Sequence, residues 1–205
     1  GRRLIPLFTG NGVEPKVTLP NSLWLDMSSL VLLVVFWIAE VFLQRHGVAA
    51  AAGALLFAVN AVRLARWYTP GIWSRPLLWS LHAAFALVAA GFLLHALGAV
   101  TGLNPSLALH TLAVGGIGLV TLSMMARVSL GHTGRSVHAP PRIVLLPFGL
   151  LLLAAALRVL GPLLAPGAYT AWILLAQLAW IAAFAVFSIA WLPVLARPRV
   201  DGAPG

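Results

Sequence analysis

The chain contains no cysteine, and only four of its 205 residues are acidic. The absence of cysteine excludes disulfides, thiolate metal sites and cysteine nucleophiles. Charged residues of both signs make up 8% of the chain, whereas 61% of the residues are hydrophobic. Soluble domains are about 25% charged, and so short a chain cannot bury this much apolar surface in a water-soluble fold. The composition therefore indicates a membrane protein.

The apolar runs predict helices. Each run is about 20 residues long and does not alternate with polar residues, as expected of a helix that crosses a bilayer. Strands of a membrane barrel would be about ten residues long and alternating. We therefore predict an all-α, polytopic transmembrane bundle of about six helices within residues 21–196. The predicted helices are residues 23–43, 48–67, 76–100, 106–130, 142–161 and 168–195. Residues 1–20 are predicted to be a polar N-terminal segment or loop, and residues 197–205 a flexible tail.

The basic residues predict how the bundle is oriented. Six spans place Arg45 and Arg158 on one side and the other eleven of the 13 basic residues on the opposite side. The positive-inside rule assigns the richer side to the cytoplasm, so both termini are predicted to be cytoplasmic. Because the charges lie between apolar runs, the formal net charge of +9 predicts topology among membrane lipids rather than nucleic-acid binding.

The six histidines are the leading candidates for function, because ionisable groups at membrane depth are costly and seldom present without a role. Neutral imidazole is a frequent ligand of metals and of haem iron. Each histidine also has a structural alternative, such as capping a helix end or bonding to a neighbouring helix. The topology places His46, His95 and His110 at one membrane level, and His82, His132 and His138 toward the other.

The remaining polar residues of the apolar runs have structural interpretations. We expect Asp26 to sit favourably at the first helix's N-terminus, and Glu40 to be a partly satisfied carboxylate at the interface. Asn60 and Gln177 are expected to hydrogen-bond between helices. Long basic side chains can reach lipid phosphates, and this is expected of Arg63, Arg66 and Arg127.

The fourth predicted helix has an unusual run of small residues after His110. Gly115, Gly116 and Gly118 remove side-chain bulk from consecutive turns. Small residues allow two helices to approach closely. They would equally leave room for a flat cofactor beside His110, and the sequence leaves both interpretations open.

Two connected motifs carry a specific resemblance. The segment His110–Gly118 reads His-Thr-Leu-Ala-Val-Gly-Gly-Ile-Gly, and Arg127–Arg135 reads Arg-Val-Ser-Leu-Gly-His-Thr-Gly-Arg. Both resemble the characteristic segments of the NnrS family. Gly1–Thr9 and Pro76–His82 are similar to two further segments of that family, in the same order along the chain. Because family members have a larger bundle, this chain is expected to correspond to the C-terminal half, with the N-terminal half missing.

The resemblance implies a haem- and copper-containing protein of the bacterial inner membrane. It also implies a link to nitric oxide, denitrification and resistance to nitrosative stress, with nitric oxide or an iron–nitrosyl species as a partner. Mapped by motif, the implied ligands are His82, His110 and His132, and Arg127 and Arg135 are implied partners of haem propionates or loop anchors. His95 is a candidate metal ligand from its membrane depth alone. Which histidine binds haem and which binds copper stays open.

Helix geometry predicts that His82 and His110 do not share one iron. They lie near opposite ends of antiparallel neighbours, and their heights differ by about 15 Å at the α-helical rise. Two axial nitrogens of one haem are only about 4 Å apart. Two alternative functions also remain: a transporter or channel subunit whose histidines pass protons or substrate, and a purely structural subunit. Whether the protein is an enzyme is left open.

Overall fold

The computed structural model describes residues 4–202, and within that range the regular secondary structure is helical, with no strand. It confirms the predicted all-α bundle. A short helix comes first, followed by six helices that are long and apolar enough to cross a membrane. The bounds are α1 Leu4–Gly12, α2 Leu23–Phe42, α3 His46–Trp67, α4 Pro76–Thr101, α5 Pro105–His132, α6 Arg142–Leu164 and α7 Pro166–Ala196.

The six long helices are long enough to cross a bilayer. The six long helices contain between 20 and 31 residues, and about 20 residues at 1.5 Å each cover the hydrocarbon core. A helix satisfies its own backbone hydrogen bonds, which lipid cannot do. The protein is therefore a multi-pass membrane protein. Which side its termini face remains the prediction of the charge distribution.

Consecutive helices pack side by side, with α4 and α5 at the centre of the bundle. Helices α2 and α3 flank α4, whereas α6 and α7 pack against each other and against α5. The main apolar core lies on this second side. Leu122, Phe148, Leu151, Ala183 and Trp191 are among its members, and each is at most 1% exposed.

Glycines of α5 allow α4 and α5 to pack closely at the centre of the bundle. A Cβ atom added to Gly116 would lie 2.5 Å from Cγ2 and 3.2 Å from the backbone nitrogen of Val88, on α4. One added to Gly115 would lie 3.0 Å from Cδ1 of Leu87. These glycines therefore bring α5 against α4, and the close-approach interpretation is confirmed for Gly115 and Gly116.

Within the predicted N-terminal segment or loop of residues 1–20, Leu4–Gly12 form the short helix α1. Ile5 and Thr9 are buried where α1 packs near α3 and α4. Ile5 and Phe8 supply its apolar face. Pro6 lies within the first turn, where its missing N–H costs no helical hydrogen bond.

The tail is predicted to be flexible, but its described part, up to residue 202, lies against the α5–α6 loop. The guanidinium of Arg199 donates to the carbonyl of His132 over 3.0 Å, and the Val200 N–H donates to the carbonyl of Thr133 over 3.3 Å. Asp201 closes the same contact by accepting two hydrogen bonds from Arg199.

Helix α2 makes buried polar contacts with α3. Asp26 is the only residue of Leu23–Trp37 that is buried. Its Oδ1 accepts a hydrogen bond of 2.9 Å from Arg63 of α3, and the two side chains are 4% and 9% exposed. Ser29 donates to Oδ1 of Asn60 over 3.3 Å, which confirms the predicted interhelical bond of Asn60. Arg63 is thus paired inside the bundle and does not reach lipid phosphates, which corrects that expectation.

Replacing Gly116 with alanine is expected to destabilise the bundle by about 1–3 kcal/mol, because the backbone of Val88 leaves no room for the added methyl group. Thermal unfolding in detergent measures the effect. Gly149→Ala is the matched control, since nothing lies within 4 Å of a Cβ atom at that helical position. Equal unfolding temperatures for the two variants would contradict the close packing of α4 and α5.

Replacing Asp26 with asparagine is expected to cost about 3 kcal/mol or more, because it leaves the buried Arg63 without its carboxylate. Denaturation of the purified protein in detergent measures this loss. The double variant Asp26→Leu with Arg63→Leu should recover much of it, because it removes both charges. Arg66→Leu, one turn further along α3 and exposed, should have little effect. A loss for Arg66→Leu as large as for Asp26→Asn would argue against the ion pair.

Candidate functional site

His110 lies where α5 changes its hydrogen-bonding pattern. The first turns, Pro105–His110, are α-helical, and the next seven residues, Thr111–Ile117, form wider π-helical turns. Nδ1 of His110 lies 2.5 Å from the carbonyl oxygen of Ser106 one turn earlier. That carbonyl can only accept, so the proton is on Nδ1 and Nε2 keeps its lone pair. A backbone carbonyl on one ring nitrogen is the usual arrangement for a histidine whose other nitrogen binds a metal.

Nε2 of His110 faces a cation from another helix. Nη2 of Arg158, on α6, donates to it over 2.9 Å. The same guanidinium lies 6.0 Å from the ring centre of Tyr169 at the start of α7. Both His110 and Arg158 are half-buried. The structure thus brings together a helix-five histidine and the one basic residue of α6 that was predicted to lie outside the cytoplasm.

A groove of about 380 Å³ opens beside this pair. Its lining includes His110, Arg158, Gln177 and Trp180, so it lies between α5, α6 and α7. It combines an imidazole, a guanidinium, an amide and an aromatic face. Such a groove can accept a flat, partly apolar group that carries a negative charge.

His82 has a different environment. It is 6% exposed, and both ring nitrogens face backbone carbonyls. Nδ1 lies 3.0 Å from the oxygen of Leu78, and Nε2 lies 3.3 Å from the oxygen of Trp67 at the end of α3. The carbonyls of a helix's last turn lack partners within the helix. A neutral imidazole has one N–H, so His82 can donate to one of these two carbonyls at a time. Both of its nitrogens face backbone oxygens rather than an open site.

The residues of the loop motif lie at the end of α5. The side chain of His132 is exposed. Arg135 donates to the carbonyl of Val194 over 3.2 Å and so binds the last turn of α7. This contact joins the α5–α6 loop to the end of α7. The guanidinium of Arg127 lies 3.9 Å from the ring centre of Phe8, on α1, where it packs within the protein rather than reaching outward to lipid.

His95 belongs to a second cluster, with Glu40 and His46. Oε2 of Glu40 lies 3.5 Å from Nε2 of His95 and 3.4 Å from Nδ1 of His46. Glu40 is thus the shared partner of two histidines. His138 lies in the exposed α5–α6 loop, where its carbonyl accepts from Arg75.

The candidate ligands are not gathered into one centre. His82 contacts the end of α3, His110 contacts α6, His95 contacts α2, and His132 is exposed. Within residues 4–202, no group of three or more His, Asp or Glu side chains is arranged to hold a metal ion. Any metal bound by this chain would therefore take ligands from fewer residues, or need movement of those present.

Arg158 was not predicted as a site residue, because its positive charge was used only to assign the orientation of the bundle in the membrane. The signal was present: Arg158 and His110 are predicted at the same membrane level on different helices. The Asp26–Arg63 pair had a similar signal, a carboxylate and a guanidinium both predicted at one end of adjacent antiparallel helices. In both cases the partner is far along the chain, 48 and 37 residues away.

Of the comparisons with known proteins, the one with family models finds a match. No curated protein and no solved structure matches the chain. A family model described as NnrS protein matches residues 1–199, nearly the whole sequence. The motifs around His110 and His132, the six spans and this match agree, and the chain belongs to the NnrS family.

Proposed function

We propose that this chain is a haem- and copper-binding protein of the bacterial inner membrane that acts in nitric oxide metabolism or resistance to nitrosative stress. The proposal rests on membership of the NnrS family, and the single observation that carries it is the environment of His110. The small molecule it would meet is nitric oxide or an iron–nitrosyl species.

His110 is the residue that best fits a haem ligand. The carbonyl of Ser106 fixes its tautomer and its ring plane, so that Nε2 points toward α6 with a lone pair. The groove beside it has room on the side of α7. A haem bound there would supply an iron centre able to bind a diatomic gas or to carry one electron.

Arg158 fits the same proposal. Its contacts are the Nε2 atom of His110 and the ring of Tyr169. A guanidinium forms strong paired hydrogen bonds to carboxylates, so a propionate would be a better partner for it than a neutral imidazole. If Arg158 bound such a carboxylate instead of the imidazole, the lone pair of His110 would be available to a metal. A single change in the position of Arg158 would thus free His110 to bind iron and place the guanidinium on a propionate.

The other candidate histidines are less well placed than His110 to bind a metal. His82 would have to leave the carbonyls of Trp67 and Leu78 before either nitrogen became available. In our proposal His82, His132 and His95 remain the candidates for copper. Because they lie apart from His110, the copper site is separate from the haem, and Arg127 and Arg135 support the fold near His132.

The test is a visible spectrum with metal analysis on the protein purified from membranes of a bacterial host supplied with haem and copper. We expect a Soret band in the wild type and its loss or a large shift in His110→Ala, because the axial ligand is removed. Arg158→Gln should lower haem occupancy while leaving the position of the band unchanged. His138→Ala, an exposed loop histidine, is the matched control and should match the wild type.

One outcome would defeat the proposal, and a second would exclude its assigned ligand. A properly folded preparation from the host supplied with haem and copper that contains neither of them would remove its basis. Haem retained with an unaltered spectrum in His110→Ala would keep the cofactor but exclude His110 as its ligand.

A further inference from the structure

Arg127 is a half-buried cation near the end of α5 that is predicted to be cytoplasmic. Its guanidinium packs 3.9 Å from the ring centre of Phe8, and no hydrogen bond or ion pair joins it to another part of residues 4–202. A guanidinium has five N–H donors, and removing a charge from water is costly unless an opposite charge accompanies it. The fold thus leaves the donors and the charge of Arg127 without an anionic partner among the described residues.

The acidic side chains of the chain cannot supply that partner, because there are only four of them. Each one contacts a different basic residue: Asp26 contacts Arg63, Glu40 contacts His46 and His95, Asp201 contacts Arg199, and Glu14 contacts Arg75. An anion that neutralises Arg127 would therefore come from the surroundings of the protein.

A small cavity lies beside Arg127, and its wall includes a second guanidinium, that of Arg75. Nη1 of Arg75 donates to the carbonyl of His138 over 2.9 Å, which holds the side chain on the α5–α6 loop. Glu14 lies 3.6 Å from Nη2 of Arg75, but its side chain is 87% exposed and does not line the cavity. Two positive charges therefore border one space, and no described carboxylate forms part of its wall.

Helix α4 begins at the same cavity, where Pro76, Leu77 and Leu78 form part of the wall. The first N–H groups of a helix have no partners within it, and the N-terminus carries a partial positive charge. This field alone does not make a site, but it acts in the same direction as the two guanidiniums.

The size of the cavity limits what it can hold. Its volume is about 10 Å³, which is room for roughly one particle the size of a water molecule. A whole phosphate, sulfate or carboxylate group is too large for it. The two guanidiniums can only donate hydrogen bonds, so they suit a particle that only accepts them. A monatomic anion meets both requirements.

We propose that this cavity binds a single halide ion, chloride under physiological conditions, between Arg127 and Arg75 at the start of α4. The ion supplies the negative charge that the acidic side chains do not supply to Arg127. Since the wall is built from the end of α1, the start of α4, α5 and the α5–α6 loop, the ion joins segments that are distant in sequence. An ion that binds only the folded protein stabilises it.

The halide site is separate from the His110 groove and goes beyond the proposed function. Arg127 follows His110 by 17 residues on α5, which is about 25 Å at the α-helical rise. The cavity and the groove share no lining residue. Because halide binding needs no haem or copper, its failure is distinguishable from a failure of the proposed function.

The test measures thermal unfolding of the whole chain in detergent while sodium chloride replaces sodium gluconate at constant ionic strength. We expect saturating chloride to raise the unfolding temperature of the wild type by about 2–4 °C, and bromide to act similarly. Arg127→Gln should abolish this dependence, and Arg75→Gln should weaken it. Crystals grown in bromide should show an anomalous diffraction peak between the two guanidiniums.

Arg66→Gln is the matched control. It removes an exposed guanidinium on the same predicted side of the membrane, away from the cavity, and should keep the full chloride dependence. Glu14→Gln removes the carboxylate nearest to Arg75, so it should lower the half-saturating chloride concentration about twofold. This change is on an exposed side chain, so it tests the site even if Arg127→Gln does not fold.

Three results would overturn the halide site. An unfolding temperature that does not depend on chloride would show that the cavity holds water only. An equal chloride dependence in the wild type and in Arg127→Gln would show a general effect of salt. Loss of a Soret band in Arg127→Gln, with its chloride dependence intact, would assign Arg127 to a haem propionate instead.

Discussion

Lipid offers no hydrogen bonds, and this constraint explains most of the polar contacts in the bundle. The Asp26–Arg63 pair shows the constraint most directly. Its two charges are buried, and they lie in contact 2.9 Å apart between α2 and α3. Arg63 also packs 4.9 Å from the ring centre of Trp67. The carbonyl of Trp67, at the end of α3, lies 3.3 Å from Nε2 of His82. One end of the bundle is thus held by a connected set of polar groups.

The same constraint explains which parts of the fold the sequence predicts. A run of about 20 apolar residues has few stable alternatives in a bilayer, so the six spans follow from composition and length. Helix α1 was missed because its nine residues are too few to span and contain two glycines and a proline. Its stability comes from burying Ile5 and Thr9 against helices that are distant in sequence. Such tertiary packing has no local signal.

The candidate sites were predictable only in part for a related reason. Hydropathy and the charge rule sort residues by membrane level, but they do not say which residues of different helices face each other. His110 was found from its motif, whereas Arg158, its contact, has no motif of its own. Glu40 was placed at the right depth, but its contacts with His46 and His95 depend on the π-helical turn that α2 forms over Ile38–Phe42. The packing role of Gly115 and Gly116 likewise required the position of α4.

The surroundings of His82 and His110 differ in how readily each histidine could become a metal ligand. Both rings use one nitrogen on the carbonyl four residues earlier. At His82 the second nitrogen faces another carbonyl, an acceptor that favours a proton there and repels a lone pair. At His110 it faces a guanidinium, so its surroundings already accommodate positive charge against the lone pair. A metal ion at Nε2 would replace one cation with another. Of the two histidines, His110 therefore needs the smaller electrostatic change to become a ligand.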